Sequence, residues 1–406
     1  MKIIHKLKLP CGTQLPNRIA KSAMSENMAI KNHAPGKAYY KLYRRFALGG
    51  VGLCISGNVM IDKRYLGEPY NVVLEDERHL DLFKHWASSC EGTDTALWMQ
   101  LNHPGKQIPR FLSQEPVAPS AIPLDPKMRA LFATPRALSH EEILDIIFRF
   151  AQAARLAKNA GFHGVQIHGA HGYLVSQFLS AKHNQRQDAW GGSMDKRMRF
   201  LIEVYQAMRK AVGAKFPIGV KINSADFQKG GFSQEEAILV CRTISDLGMD
   251  LIEISGGSYE KPVMMLGQKE STKKREAYFL QYAADIKKVI KCPLMLTGGF
   301  RSLSAMQTAL ETGEIDVVGM ARPLAIEPDL PRRLMQEQNV ISRVHPISSG
   351  IASLDKLFPL EISWYTQQLQ RMGKGLEPDV DASAWSTIYH TLMDMGLQGL
   401  RRTRAK

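Results

Sequence analysis

The order of apolar and polar positions along the chain repeats one unit. The stretch Tyr39 to Leu48 carries apolar residues at helical spacing and stops at Gly49-Gly50, and the apolar run Val51 to Ser56 follows directly. The same junction returns at Gly161 to His168, at Gly248 to Ser255 and at Gly313 to Gly319: a glycine closing a helix, one or two polar residues, then an apolar run. Continuous apolar runs are typical of strands covered on both faces, and glycine is the residue that tolerates the left-handed turn at a helix end. Repetition of helix, glycine and strand is the grammar of a parallel α/β fold.

Arg18 to Met24, after a polar turn at Asn17, supplies a first strand, and Thr95 to Leu101, Pro217 to Asn223 and Pro293 to Thr297 supply three more. Eight strands in all predict a single (β/α)8 TIM barrel, class α/β. Ser139 with Glu142 and Ser233 with Glu236 fit the capping box that opens a helix. No G-x-G-x-x-G follows a strand, which makes a doubly wound dinucleotide-binding sheet the weaker alternative. Residues 1–340 are assigned to the barrel. Residues 341–406 form a C-terminal helical extension, with apolar positions at helical spacing in Leu360 to Met372 and Ser383 to Leu400. This extension is expected to pack on the barrel or on a dimer partner, so a homo-oligomer is possible.

Composition narrows the class. The net charge is +14, but the basic residues are spread along the chain, and no aromatic-interleaved basic patch accompanies them. A solvated face explains them better than nucleic-acid binding does, and a positive field also suits a phosphorylated ligand. Cys11, Cys54, Cys90, Cys241 and Cys292 are odd in number and contain no C-x-x-C pair, which argues for reduced thiols. No run approaches the roughly 18 apolar residues of a membrane span, and Met1 to Pro10 lacks a signal-peptide core. A cytoplasmic protein without membrane or nucleic-acid partners is expected.

A barrel of this kind carries its site at the C-terminal strand ends. The end of the fourth strand is Gln-Ile-His-Gly-Ala-His-Gly-Tyr, residues 166–173, which crowds His168, His171 and Tyr173 among small residues that let a flat ligand approach. The seventh and eighth strand ends offer Thr297-Gly298-Gly299 and Ala321-Arg322, where such barrels hold a phosphate. The remaining ends offer Ser22, Ala23, Met24 and Ser25, then Asn58, Gln100 and Lys221. A cation beside a ring that becomes anionic on reduction and an amide facing another amide edge suit flavin mononucleotide, FMN. The weaker alternative for Lys221 is a core cation paired with a buried carboxylate. A metal-dependent hydrolase would use His168 and His171, but the other strand ends offer mainly Ser, Asn and Gly, so no metal site is assigned.

Over residues 1–340 the chain resembles the Old Yellow Enzyme family of FMN-dependent NAD(P)H oxidoreductases. The resemblance rests on Asn17-Arg18-Ile19 with Ser22-Ala23-Met24, on Gln100 to Lys106, on His168 to Tyr173, and on Asn184 to Ser193 followed by Arg197. It implies that Ala23, Met24, Ser25, Asn58, Gln100, Lys221, Ala321 and Arg322 contact FMN, and the ends of the first and seventh strands add Ser22 and Gly299 to the expected cofactor site. His168 and His171 then grip a carbonyl or nitro oxygen, and Tyr173 donates a proton. NADH or NADPH would reduce the flavin, with a slight lean to NADPH from the positive field, and an electrophilic alkene would reoxidise it in ping-pong fashion. An N-demethylating or dehydrogenating branch of the family is the alternative.

Two positions depart from the pattern. Ser25 and Asn27 stand where one branch has a flavin-tuning cysteine and a substrate-contacting tyrosine, so Asn27 offers the substrate a polar wall. The loop Ile108 to Ala137 reads as a lid. Gly256 to Lys274 is a second candidate pocket edge, and Asp188 and Arg197 are expected to tie their loop to the barrel rim.

Overall fold

A computed structural model describes residues 2–256, 280–351, 354–355 and 360–403, without the side chains of 394–403. The eight strands form a closed parallel barrel: β1 (Ile19–Lys21), β2 (Leu53–Met60), β3 (Ala96–Asn102), β4 (Gly164–Gly169), β5 (Ile218–Asn223), β6 (Leu251–Ser255), β7 (Leu294–Thr297) and β8 (Val317–Met320). Each pairs with the next, and β8 pairs with β1, so the barrel has no free edge. The glycines at the predicted junctions, Gly50, Gly161, Gly248 and Gly313, all adopt positive φ, between 75° and 98°.

Most helices lie outside this ring, among them α1 (Lys37–Leu48), α2 (Leu80–Ala87), α3 (His140–Asn159), α4 (Leu174–Leu179), α5 (Met194–Val212), α6 (Gln234–Asp246), α7 (Leu280–Lys287) and α8 (Leu303–Glu311). Both predicted capping boxes form. The Glu142 amide donates to Ser139 Oγ at 3.2 Å and the Ser139 amide to Glu142 Oε2 at 2.8 Å, and Ser233 and Glu236 repeat the exchange. Each satisfies two amides that a helix start would otherwise leave unpaired. Apolar faces of the helices and outward residues of the strands make one large core.

The barrel interior is divided along its axis. Its lower part is apolar: Ala20, Leu53, Ile55, Trp98, Leu251 and Met295 pack together, closed from below by Leu7, Leu9 and Leu15 of an N-terminal hairpin pairing Leu7–Lys8 with Gln14–Leu15. Trp98 needs glycine on the two following strands, because a Cβ at Gly164 or Gly219 would lie 2.6 or 2.8 Å from its indole. The upper part is polar and is described below.

After β8 come α9 (Arg322–Ile326) and α10 (Leu330–Gln336), and the chain then returns to the barrel as α11 (Leu360–Gly373) and α12 (Ala384–Thr403). α11 lies against α1 and α9 and buries Trp364, Tyr365, Leu369 and Met372. Trp364 Nε1 donates to Ala382 O, and Thr387 Oγ1 to Gln367 Oε1, which joins α12 to α11. Among the described residues no helix is long and apolar enough to cross a membrane.

The 108–137 excursion is tied down. It holds a short parallel pairing of Val117–Ala118 with Arg136–Ala137, and Ser120 Oγ accepts from the Gln185 amide. In the adjoining 184–197 loop the ties come from Arg186, which donates to Pro119 O and Leu138 O, and from Arg197, which donates to Leu179 O and to Glu236. Asp188 bonds locally, to Arg186 and the Trp190 amide, so of the two residues expected to fasten this loop only Arg197 reaches beyond it. The Gly256 to Lys274 edge lies, from residue 257 on, outside the described residues.

Candidate active site

All eight strands contribute to one cleft of about 230 Å³ at their C-terminal ends. Ala23, Met24 and Ser25 stand beyond β1, Asn58 on β2, Gln100 on β3, His168 on β4 with His171 and Tyr173 beyond it, Lys221 on β5, Ser255 on β6, Thr297 with Gly298 at β7, and Ala321 with Arg322 beyond β8. Strand register sets several of these level. Asn58 stands opposite Gln100, and His168 stands opposite Lys221, which stands opposite Glu253. Level residues on parallel neighbours point to the same side, which is how residues far apart in sequence meet.

Below the cleft runs a buried polar network. Gln100 Nε2 donates to Gln166 Oε1 at 2.7 Å, and Gln166 Nε2 donates to Glu253 Oε2 at 2.7 Å. Glu253 Oε1 receives Lys221 Nζ at 3.0 Å and Thr297 Oγ1 at 2.7 Å, and Thr297 shares a 2.6 Å hydrogen bond with Ser22 Oγ. Lys221 is therefore a core cation with a carboxylate partner, and it also lines the cleft. The network fixes Gln100 so that its Oε1 is left buried without a hydrogen-bond partner, an acceptor that a bound N–H would satisfy.

The histidine turn depends on one left-handed residue, His171 at φ 60°, followed by Gly172 at 77°. The His171 amide donates to Asn223 Oδ1, and its carbonyl accepts from Gln107 Nε2, which hold that strained position. The rings of His168 and His171 meet edge to face at 5.2 Å, and those of His168 and Tyr173 at 4.7 Å. Burial pulls both imidazoles well below the usual histidine range; the charge of Lys221 adds to this in each, and for His168 so does that of His171. Both are neutral at physiological pH. His168 Nδ1 accepts from the Ala170 amide at 3.3 Å, which leaves the proton on Nε2. His171 Nε2 lies 2.9 Å from Ser255 Oγ; with the hydroxyl donating, Nδ1 carries its proton. Asn58 Nδ2 donates to the Tyr173 hydroxyl at 3.4 Å.

Three predicted site residues do not line the cleft. The Ser22 side chain is spent on Thr297. Asn27 has φ 48°, and its Oδ1 accepts from the Tyr70 amide at 2.9 Å. Gly299, at φ 86°, stands one residue behind Gly298. Arg322 is present, with its Nη1 on Glu361 of α11.

Sequence reasoning passed over several lining residues. Glu68 comes from the loop after β2, and Glu361, Ile362, Tyr365 and Thr366 come from α11, which walls one side of the cleft. Thr366 Oγ1 donates to Ser25 O and Gln370 Nε2 to Glu26 O, which anchors that helix to the β1 loop. Glu253 did leave a signal, a charge in the middle of the apolar run Leu-Ile-Glu-Ile. Glu68 left none.

The residues present fit a flavin. An orphaned amide oxygen, a cation across the ring of strands, positive-φ glycines after β7 and an arginine opening α9 answer a ring amide, a ring that gains charge and a phosphate.

Residues 7–340 match the model of the NADH:flavin oxidoreductase / NADH oxidase family. The NADH-dependent flavin oxidoreductase iliE of Neonectria sp. (strain DH2) is 38% identical over 410 residues, 95% of this chain, and the chain covers 53% of that protein, about half its length. The NADH-dependent flavin oxidoreductase iccE of Talaromyces variabilis is 34% identical over 412 residues, with 92% of this chain and 99% of that protein covered. Among solved structures, the old yellow enzyme homologue from Zymomonas mobilis superimposes with a TM-score of 0.71 at 25% identity, covering 85% of this chain and 95% of that one.

Proposed function

Because the chain belongs to the NADH:flavin oxidoreductase / NADH oxidase family, we propose that it binds FMN in this cleft and moves hydride from NADH or NADPH to an activated alkene, an α,β-unsaturated carbonyl or nitro compound. FMN, when bound, supplies the group that takes and gives hydride.

The observation that carries this reading is geometric: the buried imidazoles of His168 and His171 meet edge to face in the cleft, with the Tyr173 phenol packed against His168. Hydride addition to the β-carbon of an enone puts negative charge on the carbonyl oxygen. Two neutral N–H donors stabilise that charge without a counter-charge that would bind the ground state equally well. The α-carbon then needs a proton. Tyr173, whose hydroxyl accepts from Asn58, is the acid placed to give it. Arg322 and the amides near Gly298 would hold the phosphate, the unpartnered Gln100 Oε1 would accept from a donor on the ring, and Lys221 would favour a ring that gains negative charge.

The test has three steps on one sample. Flavin released from the purified or reconstituted protein should be FMN. Anaerobic NADH and NADPH, in separate runs, should bleach it. A cyclic enone should then restore its colour with formation of the saturated ketone. Failure to hold flavin, or reoxidation by oxygen with no enone reduction, contradicts the proposal.

A further inference from the structure

Glu68 is a carboxylate of the cleft that the mechanism does not use. It sits in the loop after β2, two strands round the rim from the histidine turn, and its side chain is fixed. Ser25 Oγ and Asn71 Nδ2, the latter at 3.1 Å, both donate to Oε2, while the Glu68 amide donates to Asn71 Oδ1 at 2.6 Å. These partners are all neutral.

The contrast with its neighbours is one of charge. Glu253 under the cleft has Lys221, and Glu361 on the α11 wall has Arg322. Glu68 has no lysine, arginine or histidine within ion-pair distance among the described residues, and its Oε1 takes no hydrogen bond there. Burial pushes its pKa up, the bonds from Ser25 and Asn71 pull it down, and like-charged Glu26 adds to the rise. Glu68 is half-buried and its Oε1 is open to water, so water satisfies that oxygen until a ligand entering the cleft displaces it, and a ligand without a donor there leaves it unpaired.

We propose that Glu68 selects the substrate: the alkene this chain reduces carries a hydrogen-bond donor, an ammonium, hydroxyl or N–H group, at the end remote from its activating carbonyl, and that donor docks on Glu68 Oε1. This rests on the function proposed above. The carbonyl end is held at His168 and His171 beyond β4, and the donor end reaches back towards β2. Such a carboxylate discriminates more sharply than an apolar wall, because an analogue without the donor leaves it unpaired.

The experiment uses the FMN-loaded full chain and three cyclic enones that bear an aminomethyl, a hydroxymethyl or an ethyl group at the ring carbon opposite the carbonyl. Ratios of kcat/KM are taken within each variant, so that any general loss of activity cancels. Wild type should favour the two donor-bearing enones over the ethyl compound by about tenfold or more, the equivalent of one hydrogen bond to a charged group. Glu68→Asp should keep that order, Glu68→Gln should lose the advantage of the aminomethyl compound, and Glu68→Leu should lose both. Equal ratios in wild type and Glu68→Leu overturn the inference while the proposed function stands. A wild type that reduces none of the three overturns both.

Discussion

Lys221 and Glu253 face each other from adjacent strands at the same register level, Nζ to Oε1 3.0 Å, both side chains almost wholly excluded from solvent. Glu253 also accepts from Gln166 and Thr297, so one carboxylate organises groups on three other strands. Removing it alone, as in Glu253→Leu, leaves a buried ammonium and two stranded donors. A loss of about 3 to 5 kcal/mol is expected in denaturant unfolding. Lys221→Met combined with Glu253→Leu should be less destabilised than the sum of the two single changes. Simple additivity would show that the two residues do not act as a pair.

Arg322 gives a test specific to the cofactor's phosphate. Arg322→Ala removes a charge-assisted contact, about 1.5 to 3 kcal/mol, so FMN affinity should fall more than tenfold. Riboflavin, which lacks the phosphate, should bind wild type and variant alike. Fluorescence titration of apoprotein with both flavins separates the outcomes; equal loss for the two would mean that Arg322 supports the fold and not the phosphate.

His103, at the end of β3, bears on acid stability. Burial is the chief cause that lowers its pKa to about 4; Asp62 opposes the shift, while Arg64 and Arg149 add to it. The unfolded chain takes up this proton near pH 6.5 and the folded protein does not, so stability is unaffected above about pH 6.5 and falls as pH drops towards about 4, by on the order of 3 kcal/mol for this group. His168 and His171 are shifted in the same direction and deepen the fall. Unfolding free energies measured across this window should decline less steeply in His103→Gln than in wild type. Parallel curves would contradict the assignment.

The barrel was legible because its signals are local. Glycine junctions, apolar runs and Ser-x-x-Glu boxes each act within a few residues, and the structure places them where spacing predicts. The ring of cleft residues from Ala23 to Arg322 followed from the rule that strand ends carry the site. What spacing could not supply was direction. Asn27 and Ser22 stand near the cleft in sequence terms, yet the Tyr70 amide and a hydroxyl on another strand engage their side chains. The helical period of Leu360 to Met372 was plain, but which of its faces meets the cleft depends on α1 and Arg322, far away in the chain. Glu68 lies in a loop with no period at all.

Under the proposed function labour within the cleft is divided, with Tyr173 acting only where a carbon must be protonated. Stopped-flow measurement of both half-reactions of Tyr173→Phe tests it most directly. Reduction of the flavin by NADH or NADPH should be nearly unchanged. Reoxidation by an enone should slow by about 100- to 10,000-fold, the usual contribution of a general acid, while reoxidation by oxygen or a quinone is spared. Equal loss in both halves would make the tyrosine a positioning group, and no loss in either would remove it from the mechanism and contradict the account.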